Sequence, residues 1–110
     1  MFNILIVEDE ILIADTIKRY LIKKGYNVLG IAISFEEALT LIETQKPDVI
    51  LLDIRLSGQK TGIDIAQYIK AKQLDIPHIF LTSQLDKNTL EIARETLPAG
   101  YLSKPIQKES

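Results

Sequence analysis

The sequence predicts an α/β fold in which a five-stranded parallel sheet carries helices on both faces. Short apolar runs alternate with segments of helical periodicity along the whole 110-residue chain. The apolar runs are continuous rather than alternating, which is typical of strands that are buried on both faces. The chain length favours a single domain over residues 1–110.

Each strand prediction rests on a run of apolar and β-branched residues bounded by turn residues. Gly25, Pro47, Pro77 and Pro98 lie at the breaks between these runs and the helical segments. The predicted strands are residues 3–7, 28–33, 49–52, 78–81 and 101–102.

Helical stripes fill the four intervals between the strands, because apolar residues recur there every three or four positions. Ser34 and Glu37 predict a capping box at the start of the second helix. The apolar stripes are Ile13, Ala14, Ile17 and Leu21; Ala38, Leu39 and Ile42; and Ile63, Ala66 and Ile69. The fourth helix is suggested by the spacing of Leu90, Ala93, Arg94 and Leu97. Residues 106–110 suffice only for the first turn of a fifth helix, so we expect the final helix to be truncated or absent.

The composition limits the classes of function. A formal net charge of -2 and a pI near 5.4 give no support for a nucleic-acid surface, which needs a basic stripe. The absence of cysteine excludes disulfides, thiolate zinc sites and cysteine nucleophiles. The apolar runs are far shorter than the roughly 18 residues of a membrane span, and the first residues do not resemble a signal peptide. We therefore expect a cytoplasmic protein.

Polar residues stand where the predicted strands end. A flavodoxin-like doubly wound sheet has the strand order 2-1-3-4-5, and ligands bind beyond the carboxyl ends where that order reverses. Glu8 and Asp9 follow the first strand and Asp53 the third. Thr82 follows the fourth strand and Lys104 the fifth. Neighbouring strands lie about 4.8 Å apart, so we expect these groups to meet at one edge of the sheet.

The acidic residues at this edge predict a site for a hard divalent cation. Close carboxylates repel one another unless a cation lies among them. Oxygen ligands without His or Cys suit Mg²⁺ or Mn²⁺, which often share a site with phosphate. A carboxylate beside such a cation and a lysine is equipped to accept a phosphoryl group as a nucleophile.

At these residues the chain resembles the receiver domain of bacterial two-component response regulators. The motifs are V7-E8-D9, L51-L52-D53-I54, L81-T82-S83 and G100-Y101-L102-S103-K104-P105. They are separated by 44 residues from Asp9 to Asp53, 29 from there to Thr82, and 22 from there to Lys104. Each motif alone is weak, but the complete set in this order at strand ends is specific.

The resemblance implies a role for each matching acidic residue. It makes Asp53 the phosphoacceptor, Asp9 a direct metal ligand and Glu8 an acidic neighbour that usually acts through water. It assigns the remaining protein ligand of the metal to the backbone carbonyl of Arg55. Many receivers have two aspartates after the first strand, and glutamate in place of the first is compatible with metal binding.

The resemblance also implies a switch. Thr82 would turn its hydroxyl to the phosphoryl group, Lys104 would hold that group, and Tyr101 would swing inward as Thr82 moves. The donor would be a sensor histidine kinase or a phosphotransfer domain, and the switch would regulate an output domain or a partner protein. The domain would not be an enzyme beyond its own phosphorylation and dephosphorylation. It would bind neither nucleic acid nor membrane directly, and a homodimer is compatible with it.

Simpler interpretations stand beside these assignments. Asp9 is also a suitable helix cap, and Asp53 a suitable turn residue. Tyr101 taken alone is typical of a half-buried packing residue. The position of His78 at the amino end of a strand favours a structural or surface role. Gly58 and Gly62 are interpreted as turn residues rather than as parts of a phosphate-binding loop.

Two rival functions share the predicted fold. One is a pseudo-receiver, a protein-interaction module that is not phosphorylated; intact Asp53, Thr82 and Lys104 speak against it. The other is a Mg²⁺-dependent phosphatase of the haloacid-dehalogenase type, which requires D-x-D after the first strand where this chain has E8-D9-E10. A flavin-binding function is excluded because an acidic first loop would repel the phosphate of the flavin.

Overall fold

The computed structural model describes residues 2–56, 60–82 and 87–103, in which five strands alternate with four helices. The strands are β1 (Asn3–Val7), β2 (Asn27–Ala32), β3 (Val49–Asp53), β4 (His78–Thr82) and β5 (Gly100–Ser103). The helices are α1 (Ile11–Lys23), α2 (Phe35–Gln45), α3 (Gly62–Ala71) and α4 (Lys87–Arg94). All strand pairs are parallel and the sheet order is β2-β1-β3-β4-β5, which confirms the predicted fold class. Residues 106–110 lie outside the described residues, so the expectation about a final helix stays a prediction.

Successive side chains of the central strands enter two separate hydrophobic cores, one on each face of the sheet. In β1, Leu5 and Val7 pack with α2 and α3, whereas Ile4 and Ile6 pack with α1. Both faces of β1 and β3 are therefore buried, as their continuous apolar runs predict. This burial on both faces holds β1 and β3 within the core of the fold.

The start of α2 is capped differently from the prediction. The Ser34 hydroxyl accepts a hydrogen bond from the Glu37 backbone N–H at 3.2 Å, as expected for an N-cap. The Glu37 carboxylate, however, accepts from the backbone N–H of Ile33 at 3.1 Å. The carboxylate thus reaches one residue beyond the cap, and the predicted reciprocal bond to Ser34 is replaced by this one.

The end of α4 also differs from the prediction. The helix ends at Arg94, and Leu97 is 77% exposed with a left-handed φ of 57°, so its assignment to the fourth helix is wrong. The backbone leaves the helix before Leu97, which turns Thr96 inward instead. The Thr96 hydroxyl lies 2.9 Å from Nε2 of His78, which is buried at the amino end of β4. Of the structural or surface role expected for His78, this buried contact favours the structural one.

None of the four helices described combines the length and the apolar character that crossing a bilayer requires.

Candidate metal and phosphoacceptor site

The register between β1 and β3 brings the acidic residues together. Val7 pairs with Leu52, so the next residues of the two strands, Glu8 and Asp53, lie side by side at the carboxyl edge. Glu8 is held from the other side as well, because its backbone N–H donates to the carbonyl of Ala32 at 3.0 Å. One carboxylate oxygen each of Glu8, Asp9 and Asp53 lies within 4.8 Å of the other two. The structure therefore brings together the three acids that the sequence analysis singled out.

These carboxylates are unusually well removed from solvent. Glu8 is 0% exposed, Asp53 is 4% exposed, and Asp9 is half-buried. The backbone N–H of Glu10 donates to Oε2 of Glu8 at 3.1 Å, and the backbone N–H of Arg55 donates to Oδ1 of Asp53 at 3.2 Å. Each buried carboxylate is thus oriented by an amide two residues farther along the chain. Close carboxylates repel one another and are stabilised by a nearby positive charge, so this cluster is suited to a positive ligand.

The donor set fits Mg²⁺. All three potential ligands are carboxylate oxygens, which is the chemistry that hard cations prefer. Direct Mg²⁺–oxygen bonds of about 2.1 Å place two ligands of one ion within about 4.2 Å of each other. A spacing of up to 4.8 Å suits an ion that binds one or two carboxylates directly and reaches the third through water.

The N-cap of α1 is Glu10, whose side chain makes no capping bond. Asp9 lies one residue before this position. The simpler interpretation of Asp9 as the cap of the first helix is therefore wrong, and its place in the acidic cluster accounts for it better.

The predicted switch residues lie on β4, which is next to β3, and on β5, which is next to β4. Asp53 pairs with Leu81, which puts Thr82 one residue farther along the adjacent strand, half-buried at the same edge. Thr82 in turn pairs with Ser103 of β5. Tyr101 lies on β5 with its side chain 42% exposed. The structure thus places Thr82 beside the acidic cluster and Tyr101 farther from it, on the surface.

Lys104 lies outside the described residues, and so does Gly58. Arg55 is exposed and contacts Asp53 through its backbone N–H. The roles of Lys104 and of the Arg55 carbonyl therefore stay predictions.

The sequence analysis missed the part played by Gly62. This residue is the first of α3 rather than a turn residue, and it is buried against the end of β3. A Cβ atom on it would lie 2.0 Å from the carbonyl oxygen of Asp53. The available signal is a glycine immediately after a helix-capping threonine, Thr61, where a helix former is expected instead.

Comparison with known families agrees with this geometry. The family model described as response regulator receiver domain matches residues 4–110. The transcriptional regulatory protein PdtaR of Mycobacterium tuberculosis is 35% identical over 104 residues, which cover 94% of this chain and 50% of that protein. The positive alginate biosynthesis regulatory protein of Pseudomonas aeruginosa is 40% identical over 109 residues, which cover 97% of this chain and 43% of that protein.

A relative that is named as an enzyme matches nearly the whole of this chain as well. The protein-glutamate methylesterase/protein-glutamine glutaminase 2 of Paramagnetospirillum magneticum is 37% identical over 108 residues, which cover 94% of this chain and 30% of that protein. The chain thus spans half or less of the length of these three curated relatives.

Solved structures with the same fold are also receiver domains. The signal receiver domain of a modulated diguanylate cyclase from Desulfovibrio desulfuricans G20 superposes with a TM-score of 0.87 at 39% identity, covering 96% of this chain and 82% of that one. A response regulator receiver domain protein from Methanospirillum hungatei JF-1 gives a TM-score of 0.86 at 25% identity, covering 97% and 84%.

Proposed function

Because the chain belongs to the response regulator receiver domain family, we propose that Asp53 is its phosphoacceptor and that Glu8, Asp9 and Asp53 hold the Mg²⁺ that phosphorylation requires. The observation that carries the proposal is the meeting of these three carboxylates at the edge where β1 and β3 end. Phosphorylation-dependent signalling is the function of this family, and the acidic cluster is the part of the chain equipped for it.

The proposed reaction is transfer of a phosphoryl group to a carboxylate. An oxygen of Asp53 attacks the phosphorus of a phosphohistidine, the P–N bond breaks, and the imidazole leaves as the new P–O bond forms. The Arg55 amide bond to Oδ1 fixes the rotation of the carboxylate before the attack. Bound Mg²⁺ would neutralise charge on the transferring oxygens. Lys104, which follows β5 in the sequence, is proposed to hold the same oxygens.

The proposed consequence is a shift between two conformations. The Thr82 hydroxyl turns toward the phosphoryl group, and Tyr101 follows it inward from its exposed position. The partners proposed on either side of the switch are a sensor histidine kinase or phosphotransfer domain as donor, and an output domain or effector protein as receiver of the signal. Homodimers and a cytoplasmic location belong to the same proposal.

We propose no turnover of external substrates by this domain. Its chemistry is limited to the gain and loss of its own phosphoryl group. Steady release of phosphate from a small phosphate ester, at rates far above those of a single phosphorylation cycle, would contradict this and revive the phosphatase alternative.

The test is labelling with acetyl phosphate and Mg²⁺, followed by intact mass spectrometry. The wild-type chain is expected to gain one phosphoryl group and Asp53→Asn none. Asp48→Asn is a matched control, since Asp48 immediately precedes β3 at the opposite end of the strand and bonds the Asn3 backbone N–H at 2.7 Å. This control is expected to label like the wild type. Equal labelling of Asp53→Asn would overturn the assignment, and absence of labelling in the wild type would favour the pseudo-receiver.

A further inference from the structure

The first residue of α3 lies in direct contact with the backbone of the proposed phosphoacceptor. A Cβ atom placed on Gly62 would lie 2.0 Å from the Asp53 carbonyl oxygen, 2.9 Å from its carbonyl carbon and 3.2 Å from Cα of Ile54. The Gly62 backbone N–H donates to the carbonyl of Ile54 at 3.1 Å. The helix thus rests on the last residue of β3 and the residue after it, with no space for a side chain between them.

Both sides of this contact are held in place. On the helix side, the Thr61 backbone N–H donates to the Asp64 carboxylate at 2.6 Å, and the Asp64 backbone N–H donates to the Thr61 hydroxyl at 3.4 Å. Ile65 and Ala66 bury this turn in the core. On the strand side, the backbone N–H of Ile54 reaches the carbonyl of Leu81 only at 3.4 Å, which is a long bond. Each side of the contact is thus bonded to its own surroundings, so a wider gap has to move Gly62, Asp53 or both.

We propose that Gly62 is a positioning residue for the acidic site, and this inference rests on the proposed function. Its missing side chain lets α3 close on the Asp53 carbonyl, and that contact fixes where the Asp53 carboxylate stands relative to Glu8 and Asp9. Real Cβ atoms essentially never approach within 3.0 Å of such an atom, so Gly62→Ala requires a displacement of about 1 Å. Because the helix start is held by its cap and by its buried residues, part of the displacement falls on Asp53.

A shift of this size matters more for the site than for the fold. Misplacement of a reacting group by about 1 Å can lower a rate about 100-fold. We expect Gly62→Ala to weaken Mg²⁺ binding and to slow labelling by acetyl phosphate, each by about tenfold or more. The folded chain is expected to remain.

Three control variants separate positioning from general damage. Gly100→Ala introduces the same methyl group at a position with no atom within 4 Å, and Gly30→Ala meets only the Leu41 side chain at 3.6 Å. Thr61→Ala removes the cap of the same helix without touching the Asp53 carbonyl. The affinity for Mg²⁺ is measured by NMR titration, the labelling rate by mass spectrometry and the stability by urea unfolding, for every variant.

The expected result is loss of Mg²⁺ affinity and labelling rate in Gly62→Ala alone. The three controls are expected to keep both, even where Thr61→Ala is the less stable protein. Wild-type affinity in Gly62→Ala, or an equal loss in Thr61→Ala, would overturn the inference. If the wild-type chain itself bound no Mg²⁺ and took no label, the proposed function would fail first and the inference with it.

A measurement on the unmutated chain keeps the inference testable if Gly62→Ala does not fold. Mg²⁺ is expected to shift the amide NMR signal of Gly62, because that N–H is bonded to the residue that follows Asp53. The amide signals of Gly30 and Gly100 serve as internal references and are expected to stay. If Mg²⁺ shifted the Gly62 amide signal no more than the signals of Gly30 and Gly100, the inference would be contradicted.

Discussion

The ring of Tyr101 stacks against the ring of Phe80, with centroids 6.0 Å apart and ring planes inclined by 29°. The two residues are register partners on β5 and β4, and Phe80 is fully buried whereas Tyr101 is 42% exposed. Thr82 follows two positions after Phe80 on the same strand, so both side chains project from the same face of the sheet. Thr82 and Tyr101 thus share one face of the sheet with the buried Phe80 ring.

We predict that phosphorylation of the chain moves Tyr101 inward from this stacked, exposed position. Movement of Thr82 toward the phosphoryl group leaves space on their shared face of the sheet, and the Tyr101 ring can enter that space. In NMR spectra of the phosphorylated chain, the Tyr101 ring protons should gain contacts with buried side chains. In Thr82→Ala the ring should keep one environment with and without phosphorylation; a ring that moves equally in both proteins would exclude Thr82 from the linkage.

The buried environment of His78 predicts that the folded protein loses stability in mildly acidic solution. The Thr96 hydroxyl donates its one proton to the carbonyl of Ala93 at 2.7 Å, so Nε2 of His78 is the donor in the 2.9 Å bond to that hydroxyl. Burial lowers the pKa of His78 below its ordinary value of 6.5. The unfolded chain therefore binds a proton at a higher pH than the folded chain does.

It follows that the His78 contribution is complete above pH 6.5 and falls as the pH drops toward the folded pKa. The slope within that window is at most about 1.4 kcal/mol per pH unit. Urea unfolding at a series of pH values measures it, and His78→Gln should remove this component of the slope. Since His78 is the single histidine of the sequence, an unchanged slope in the variant would assign the effect to carboxylates instead.

Tyr68 predicts a second titration, at high pH. Its hydroxyl donates to the Glu43 carboxylate at 2.5 Å and so ties α3 to α2. The pKa of Tyr68 is raised above 10.0, first by this hydrogen bond and then by burial and the Glu43 charge. The contribution of the bond to stability is therefore present below pH 10 and is lost as the pH rises through the folded pKa.

Ultraviolet absorbance of the phenolate checks this prediction. Among the four tyrosines of the sequence, the late-ionising component should disappear in Tyr68→Phe. In Glu43→Gln the same component should move to lower pH, because the carboxylate that retains the proton is gone. Persistence of the late component in Tyr68→Phe would assign it to another tyrosine.

The capping box of α3 predicts a measurable stability term. Thr61→Ala removes the hydroxyl that accepts from Asp64 and should lower the free energy of unfolding by about 1 kcal/mol. Thr61→Ser keeps the oxygen and should recover most of that loss. Urea midpoints for the two variants decide the matter, and equal destabilisation by both would show that the methyl group, not the cap, accounts for the effect.

The sequence predicts the acidic cluster well because strand ends are encoded locally. The continuous apolar run before Glu8 and the one before Asp53 fix both strands, and parallel pairing then brings their ends together. The complete burial of Glu8 is not visible in that pattern, because burial depends on tertiary neighbours such as β2, where Ala32 accepts a hydrogen bond from the Glu8 backbone N–H.

Features that depend on close tertiary contacts could not be predicted from the sequence pattern. The role of Gly62 arises only when the start of α3 packs against the end of β3. The local sequence around Gly62 does not reveal this contact, so a turn was the simpler interpretation. Leu97 fits a helical stripe by spacing, yet the backbone leaves the helix after Arg94 and the buried position passes to Thr96. In both cases the outcome depends on backbone geometry that periodicity alone does not contain.

The central claim is that Glu8, Asp9 and Asp53 hold one divalent cation, and paramagnetic broadening of NMR signals by Mn²⁺ tests it most directly. Asp48 and His78 provide the reference, because they lie at the amino ends of β3 and β4, on the order of 10–17 Å from the cluster along the strands. Broadening by less than one equivalent of Mn²⁺ should begin at the three acids and leave the amino ends sharp. Broadening that begins at the amino ends, or spreads evenly over the surface, would contradict the account.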